Sequence, residues 1–210
     1  MKYILCILIG YMIGTLNPSY MLAKLHGFDI RKRGSGNAGA SNALMLLGKT
    51  KGAVCALFDI LKAVFAIFLC ESLFPSLTHV YAVTAVSCIL GHIFPFYMHF
   101  RGGKGLACLG GAVLIFDWRV FLVMLTGEIL VALVTNYICF VPMTASVIFP
   151  IVYGIIKKDI LGSLILCLLI PVILYKHGEN IRRIREGKEM RISFLWNKDK
   201  ELERMNLPKD

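Results

Sequence analysis

Charged residues are scarce in this 210-residue sequence. Only 17% of its residues are charged and 57% are hydrophobic, whereas a typical soluble domain is about 25% charged and about 45–50% apolar. A CxxC pair is also missing: the seven cysteines are scattered through apolar stretches, which argues against a disulfide framework. Intrinsic disorder needs low hydrophobicity, which this chain does not have. What remains is an all-α, polytopic membrane protein that forms a single integral membrane domain over residues 1–210.

Long apolar runs are abundant in the sequence. A membrane-spanning helix needs roughly 20 apolar residues. Candidate runs cover residues 3–23, 53–70, 72–100, 129–156 and 160–175. The stretch 105–116 is apolar but short, which is typical of a tilted or re-entrant helix. If Pro142 divides the late run into 121–141 and 143–156, the chain has about seven transmembrane or partly spanning helices.

The net charge of +10 is concentrated in loops. Basic residues cluster in 24–51, in 101–104 and in the tail 176–210. Basic loops stay on the cytoplasmic side of a membrane. We therefore expect these segments, together with 135–142, to lie inside, with the N-terminus outside and the C-terminus inside. The charge predicts orientation and gives no reason to expect a nucleic-acid partner.

The first basic loop contains a glycine-rich segment, GSGNAGASN at residues 34–42. It matches GxGxxG, and Asp59 follows at the spacing of a ribose-binding acid, but no strand precedes the glycines and Asp59 falls in an apolar helix. We therefore reject a dinucleotide site. Glycines do let backbone N–H groups approach a phosphate closely. The segment fits either an anion-binding loop, with Arg31 and Arg33 just upstream, or a flexible polar connection.

A second cluster, GHIFP at 91–95, leads into FRGGKG at 100–105. It is not a Walker A loop, because Gly105 replaces the hydroxyl residue that would hold magnesium. Two glycines and Lys104 at the start of an apolar helix nevertheless favour a phosphate. His92 is either an interfacial histidine or a ligand-binding one. Zinc needs more ligands than the sequence offers here, so we expect no metal.

The third cluster, HGENIRRIR at 177–185, opens the basic tail. His177 and Asn180 would share one face of a helix. Anchoring at anionic headgroups explains most of the arginines that follow, Arg182, Arg183 and Arg185, but it does not explain His177 and Asn180.

Three ionisable residues fall within the apolar segments. Asp59 and Lys62 are three residues apart and are expected to pair, while Glu128 has no evident partner. With three oxyanion-suited loops on one side of the membrane, the sequence predicts a phosphorylated, water-soluble substrate that meets a lipid-phase partner.

The three clusters resemble the motifs of the bacterial acylphosphate:glycerol-3-phosphate acyltransferases. They read SGNAGASN at 35–42, GHIFPFYMHFRGGKGLA at 91–107 and HGENIRRIREGKE at 177–189, and the apolar Asp59-x-x-Lys62 pair also matches. The resemblance covers nearly the whole chain. Three long motifs in order are far more specific than any one of them.

This resemblance implies a seven-helix enzyme that moves a fatty acyl group from acyl phosphate to the 1-hydroxyl of glycerol 3-phosphate. The product is 1-acylglycerol 3-phosphate (lysophosphatidate), made without cofactor, coenzyme A or metal. The enzyme would lie in the bacterial plasma membrane, with its site at the cytoplasmic face, and we expect a monomer. The implied catalytic residues are Ser35, Lys104, His177 and Asn180. The implied substrate- and phosphate-binding residues are Gly36, Asn37, Gly39, Ser41, Asn42, His92, Gly102, Gly103 and Gly105. Lys104 and the amides of the two glycines before it are expected to hold phosphate oxygens.

The chain departs from the family pattern at three positions. Met45 stands where the first motif ends in arginine, Cys108 where threonine follows GGKGxA, and Asn136 where a further arginine is expected. A methionine cannot replace a guanidinium, so two cations are missing unless basic residues of the first loop substitute for them. Two alternative functions follow: a non-catalytic or acceptor-shifted paralogue that binds acyl phosphate or anionic lipid, and a small transporter of a phosphorylated metabolite.

Overall fold

The computed structural model describes residues 1–204, which are helical without any β-strand. This confirms the predicted fold class; the end of the predicted tail, 205–210, lies outside the described residues. Three short 3-10 helices cover Ile30–Lys32, Phe96–Met98 and Ile192–Leu195. The α-helices are α1 Lys2–Thr15, α2 Pro18–Leu25, α3 Ala40–Leu47, α4 Lys49–Leu73, α5 Val80–Ile93, α6 Leu106–Phe116, α7 Trp118–Thr135, α8 Phe140–Lys157, α9 Ile160–Cys167, α10 Leu169–Arg185 and α11 Lys198–Arg204.

Six helical stretches of the described chain are long and apolar enough to cross a membrane. They are Lys2–Leu25, Lys49–Leu73, Val80–Met98, Trp118–Thr135, Phe140–Lys157 and Ile160–Arg185. α6 is apolar as well, but its 11 residues extend only about 16 Å, against about 30 Å for the hydrocarbon core. It is the short, partly spanning helix that the sequence predicts.

Side-chain caps mark where several helices begin. Asn17 accepts a hydrogen bond from the amide of Tyr20 at 2.8 Å, and Pro18 occupies the first turn of α2. Asp117 accepts from the amide of Arg119 at 2.7 Å at the start of α7. These caps satisfy N–H groups that have no partner within the helix, and so they fix the points where the chain turns between spans.

Glycines let α1 and α5 approach each other closely. A Cβ added at Gly14 would collide with the carbonyl group of Cys88, and one added at Gly91 would collide with the carbonyl oxygen of Tyr11. Helices in lipid gain little from hydrophobic attraction to one another, so close packing of small residues holds such bundles together. α5 is the most buried of the spans, and it also packs against α4 and α6.

An aromatic cluster joins α5, α6 and α8. The ring of Tyr81 stacks on that of Tyr153 at 5.3 Å between centroids. Phe116 meets Phe149 edge to face at 5.7 Å. Such pairs add about 0.5–1.5 kcal/mol beyond the area that they bury, and this cluster fixes α6 in the bundle although it is too short to span the membrane alone.

The helix bundle has two chemically different ends. Tyr3, at the start of α1, donates to the carbonyl of Thr78 between α4 and α5 at 2.9 Å. Lys104, just before α6, instead contacts Asn180 near the end of α10. We call the end that holds Lys104 the motif end and the other the distal end. The start of α1 thus lies at the distal end and the end of α10 lies at the motif end. The chain runs along the bundle an odd number of times, and the short helix α6 makes one of these passes.

The break in the late apolar run lies upstream of its predicted position. α7 ends at Thr135 and α8 begins at Phe140, so the predicted division at Pro142 is wrong. Pro142 falls in the first turn of α8, where a missing N–H costs little. Asn136 ends α7 in the left-handed conformation, at φ 60°, which asparagine adopts more readily than most residues. Residues 176–185 of the predicted tail form the last turns of α10.

Replacing Gly14 by alanine tests the close approach of α1 and α5. Gly14→Ala should lower the melting temperature, because the added methyl overlaps the carbonyl group of Cys88 and overpacking costs about 1–3 kcal/mol. Gly127→Ala is the matched control: nothing lies within 4 Å of a Cβ added there, and alanine favours a helix over glycine. Thermal unfolding of the detergent-purified variants measures both, and equal melting temperatures would contradict the packing.

Candidate active site

Asn42 shapes the first loop from the inside. Its side chain, fully buried at 0% exposure, donates to the carbonyls of Ile30, Arg33 and Asn37, each at 3.0 Å. Its Oδ1 accepts from the amide of Ser35 at 3.0 Å. Both amide hydrogens and the oxygen are therefore used within the loop. Asn42 therefore holds the loop in shape, and a contact between its side chain and substrate stays a prediction.

The outer surface of that loop carries the remaining polar residues of the first motif. Ser35, Gly36 and Ser41 are exposed, Asn37 is half-buried and Gly39 is buried. Among the described residues, the hydroxyl of Ser35 has no hydrogen-bond partner. The loop therefore presents free hydroxyl groups on a backbone that Asn42 fixes from below.

Arg31 ties the first loop to the second. Its guanidinium pairs with Asp29 at 2.6 Å and donates to the carbonyl of Met98 at 2.6 Å. The hydrogen bond from Arg31 lowers the pKa of Asp29 to about 2. Because Arg31 is committed in this way, it does not replace the missing arginine of the first motif. Arg33 is exposed, and its guanidinium lies 4.7 Å from the centre of the Phe28 ring, so it remains available.

Gly102 and Gly103 lie against the end of α5. The amide of Gly102 donates to the carbonyl of Ile93 at 3.0 Å, and that of Gly103 donates to the carbonyl of His92 at 3.1 Å. A Cβ at Gly103 would collide with the imidazole of His92, so only glycine permits this approach. Both amides are therefore bonded to the chain itself, and their role in holding phosphate oxygens stays a prediction. Gly105, at φ +90°, then turns the chain into α6.

A buried ammonium group supports this loop from below. Lys62 Nζ donates to the carbonyl of Leu16 at 2.5 Å, pairs with Asp59 Oδ1 at 2.6 Å and donates to His92 Nδ1 at 3.0 Å. Asp59, Lys62 and His92 are only 1%, 5% and 3% exposed. His92 Nδ1 also lies 3.3 Å from Asp59 Oδ1, so the imidazole is held between the ammonium and the carboxylate. His92 is thus part of this buried group, and a contact between its ring and substrate stays a prediction.

The same buried group offers metal-ligand atoms. Asp59, His92 and Cys108 place one ligand atom each within 4.8 Å of the others, and this donor set suits zinc. The Lys62 ammonium, however, already bonds two of the three at 2.6 and 3.0 Å, so a divalent cation would have to displace it. Cys108 is 0% exposed and has no route to a substrate. We therefore assign the group a structural role.

Lys104 lies at the centre of a chain of polar contacts at the motif end. Its Nζ donates to Oδ1 of Asn180. The amide nitrogen of Asn180 donates to Glu189 at 2.6 Å, and Arg183 Nε donates to the other oxygen of Glu189 at 2.7 Å. Sequence reasoning missed Glu189 and Arg183 as site residues; the place of Glu189 at the end of the third motif was the available signal. Together they orient Asn180 towards Lys104.

Burial and a neighbouring charge alter Lys104. Removal of the ammonium from water, followed by the positive charge of Arg183, lowers the pKa of Lys104 to about 8. The unfolded chain therefore binds more protons than the folded one between about pH 8 and the ordinary lysine value of about 10.4, and the free energy of unfolding rises with pH across that window. At neutral pH the group remains mostly a cation.

His177 is held with one ring nitrogen free. It is 2% exposed, and its Nδ1 lies 2.8 Å from the carbonyl of Ile173. A carbonyl can only accept, so Nδ1 carries the hydrogen and Nε2 has a free lone pair. Of the four predicted catalytic residues, the structure brings Lys104 and Asn180 into contact and places His177 one turn before Asn180. Ser35 lies apart on the first loop, without a hydrogen bond to the other three.

The C-terminal segment closes over this polar chain. Asn136 accepts through its backbone oxygen from the amide of Ile192 at 2.9 Å and through its side chain from the amide of Ser193 at 3.1 Å. Arg204 donates to the carbonyl of Glu189 at 2.6 Å. Asn136, which stands where the family pattern has arginine, therefore docks the tail and does not supply a charge.

The helical fold and its apolar spans define an integral membrane protein with a cluster of polar and cationic side chains at one end. The family model for glycerol-3-phosphate acyltransferase matches residues 4–187. The chain therefore belongs to the glycerol-3-phosphate acyltransferase family, as its motifs predict.

Relatives of similar length share about a third of the sequence. Glycerol-3-phosphate acyltransferase 1 of Oceanobacillus iheyensis is 36% identical over 209 residues, covering 94% of this chain and 99% of the relative. The enzyme of Thermotoga petrophila is 34% identical over 189 residues, covering 90% and 95%. The crystal structure of PlsY, an integral membrane glycerol 3-phosphate acyltransferase in its glycerol 3-phosphate form, has a TM-score of 0.84 at 28% identity and covers 93% of this chain and 98% of that one.

The lowered pKa of Lys104 is testable by chemical labelling. The rate at which an amine-selective reagent modifies Lys104 should reach half its maximum near pH 8, because only the neutral amine reacts; a lysine in a model peptide does so near pH 10.4. Arg183→Gln should move the midpoint of Lys104 upward, since it removes a neighbouring positive charge. Mass spectrometry of the labelled protein gives both midpoints, and a midpoint at or above that of the peptide would refute the assignment.

The buried ion pair predicts an unusual mutational pattern. Lys62→Met should destabilise the protein by about 3–5 kcal/mol, because it strands the Asp59 carboxylate in the core. Asp59→Asn combined with Lys62→Met removes both charges and should recover much of that loss. Thermal unfolding in one detergent compares them, and a double variant no more stable than the single one would argue against the pair.

Proposed function

We propose that this protein transfers a fatty acyl group from acyl phosphate to the 1-hydroxyl of glycerol 3-phosphate, producing 1-acylglycerol 3-phosphate and inorganic phosphate. The observation that carries the proposal is the contact between the half-buried Lys104 ammonium and Asn180, backed by Arg183 and Glu189. A buried cation with a donor amide beside it suits a phosphate oxygen. The names of the relatives, which are glycerol-3-phosphate acyltransferases, support the acceptor.

Each residue of the site then has a distinct task. Lys104 holds phosphate and stabilises the charge that develops as the hydroxyl attacks the acyl carbonyl. Asn180 orients Lys104, and the free Nε2 of His177 accepts a hydrogen bond from a substrate hydroxyl. The hydroxyls of Ser35 and Ser41, on the outer surface of the first loop, contact the acceptor. An ester bond forms, the carbonyl–phosphate bond breaks, and the hydroxyl proton leaves with the phosphate.

The choice of acyl phosphate as donor follows from what the site has to do. Acyl phosphate is a mixed anhydride and is already activated, so the protein needs chiefly to position two substrates and to stabilise charge. A covalent cysteine intermediate is disfavoured because Cys108, although it lies beside His92 and Asp59, is fully buried. The three motif clusters also support acyl phosphate as the donor, because they resemble those of acyl-phosphate-dependent enzymes.

The location of the enzyme follows from its charge. The basic segments concentrate at the motif end, and basic segments stay in the cytoplasm. We therefore propose an enzyme of the bacterial plasma membrane, working as a monomer with its site at the cytoplasmic face, its N-terminus outside and its acyl substrate in the bilayer. All the described motif residues then belong to one integral membrane acyltransferase domain.

A transporter is the weaker alternative. Its sequence basis was the presence of ionisable residues within the membrane. Asp59 and Lys62 neutralise each other at 2.6 Å, and Glu128 accepts from the hydroxyl of Thr144 at 2.6 Å. These groups are satisfied internally and link neighbouring helices, so they give no separate support to an ion pathway.

A donor-specific assay tests the proposal. Detergent-purified protein with palmitoyl phosphate and glycerol 3-phosphate should yield lysophosphatidate, whereas palmitoyl coenzyme A should not replace the donor. Product formation is measured by mass spectrometry. The absence of product with either donor would support the non-catalytic or acceptor-shifted alternative, and product from the coenzyme A ester alone would refute the acyl-phosphate donor.

Lys104→Ala tests the site itself. Loss of the ammonium should lower kcat/KM by about 100-fold or more, as expected for removal of a preorganised charge-stabilising donor. Lys158→Ala is the control, because Lys158 is exposed at the distal end. If both variants keep the activity of the unmodified protein, Lys104 is not the phosphate-binding cation.

A further inference from the structure

A cleft opens at the distal end of the bundle, away from the motif residues. Its volume is 340 Å³, and it lies where the end of α4, the loop before α5 and the ends of α6 and α8 meet. α6 separates it from Lys104 by 11 residues, or about 16 Å of helix. The cleft is therefore distinct from the candidate active site. Its polar lining residues are Glu71, His79, Tyr153 and Lys157, and its apolar ones include Leu77 and Phe116.

Two opposite charges face this cleft without an ionic partner. Among the described residues, neither Glu71 nor Lys157 has an ion pair within 4.0 Å, and Glu71 has no hydrogen bond. Glu71 is half-buried near the end of a membrane span. The Lys157 ammonium lies 5.6 Å from the centre of the Phe116 ring. The charge of Lys157 acts on Glu71 across the cleft, but the two groups do not form an ion pair. A ligand with a cation beside Glu71 and an anion beside Lys157 would satisfy both charges.

The rest of the cleft wall is fixed by internal bonds. Asp159 accepts from His79 Nδ1 at 2.9 Å and from the hydroxyl of Tyr153 at 3.0 Å. Tyr153 in turn stacks on Tyr81, whose hydroxyl donates to a backbone carbonyl at 2.6 Å. Only the Nε2 of His79 is left to point at a ligand. The groups available are thus the carboxylate of Glu71, the ammonium of Lys157 and the Nε2 of His79.

We propose that this cleft binds the headgroup of a zwitterionic phospholipid with a primary ammonium, that is, a phosphoethanolamine group. The ammonium pairs with Glu71, and the phosphate pairs with Lys157. A primary ammonium fits better than a quaternary one, because it donates hydrogen bonds to a carboxylate and the Phe116 ring is already covered by Lys157. The volume is at the small end of ligand sites, which suits a headgroup whose acyl chains remain in the bilayer.

Lipid binding to the unmodified full chain is the first test. Detergent-purified protein is titrated with phosphatidylethanolamine, phosphatidylcholine or phosphatidylglycerol of identical acyl chains, and bound lipid is counted by native mass spectrometry. We expect phosphatidylethanolamine to bind most tightly and each successive N-methylation of its headgroup to weaken binding. Equal affinity for the three lipids would overturn the proposal, and this outcome does not depend on any variant folding.

Charge-removing variants assign the binding to this cleft. Glu71→Gln and Lys157→Gln should each weaken phosphatidylethanolamine binding about tenfold, since a hydrogen bond to a charged group is worth roughly that much. Glu71→Gln should leave phosphatidylglycerol unaffected or bound more tightly, because that lipid has no ammonium. Lys158→Gln and Glu186→Gln are matched controls, since neither residue lines the cleft. Unchanged phosphatidylethanolamine binding in both cleft variants would overturn the assignment.

Soluble O-phosphoethanolamine distinguishes the two sources of this headgroup. If it competes with the lipid, the headgroup alone is recognised, which supports the proposed chemistry. If it does not compete while lipid binding still depends on Glu71, the ligand is the membrane lipid. Competition that persists undiminished in Glu71→Gln would place the compound elsewhere and count against the cleft. Acyl transfer in Glu71→Gln should match that of the unmodified protein, because the cleft lies at the other end of α6.

Discussion

The buried ammonium of Lys62 is the constraint on which the motif end depends. It bonds the end of α1 through Leu16, the carboxylate of Asp59 within α4 and the ring of His92 at the end of α5. The backbone carbonyl of His92 then accepts a hydrogen bond from the amide of Gly103, the residue before Lys104. Removing either charge strands the other away from water, which costs more than the pair gains. The position of Lys104 is therefore set by a group that touches no substrate.

The site divides its polar residues between shaping and binding. Hydrogen bonds within the loops occupy the side chains of Asn42, Arg31 and Asp29. The carboxylate of Glu189 likewise accepts hydrogen bonds from Asn180 and Arg183. The cations left for a ligand are fewer than the composition suggests. A chain with a net charge of +10 therefore has one half-buried ammonium, that of Lys104, at the centre of its candidate site. Asn136 docks the tail and supplies no charge.

Much of the fold was predictable because a bilayer imposes simple rules. Span length, basic loops and the shortness of α6 all follow from hydropathy and charge. The break between α7 and α8 did not, because the left-handed turn at Asn136 ends the helix whereas Pro142 is harmless in a first turn. The motifs also located Lys104, His177 and Asn180 correctly as neighbours on two elements, but the sequence could not separate ligand-facing amides from those bonded to the chain itself.

The sequence by itself determined the class of protein and most of its spans, and it indicated candidate site residues, because hydrophobicity and residue type are local properties. Tertiary structure decided which of those residues are free. Hydrogen bonds between distant segments form only when the chain folds. They join Gly102 to Ile93, Lys62 to Leu16 and Asn180 to Glu189. The distal cleft is likewise a product of tertiary structure, since Glu71 and Lys157 lie far apart in sequence and face one cavity only because α4 and α8 end side by side.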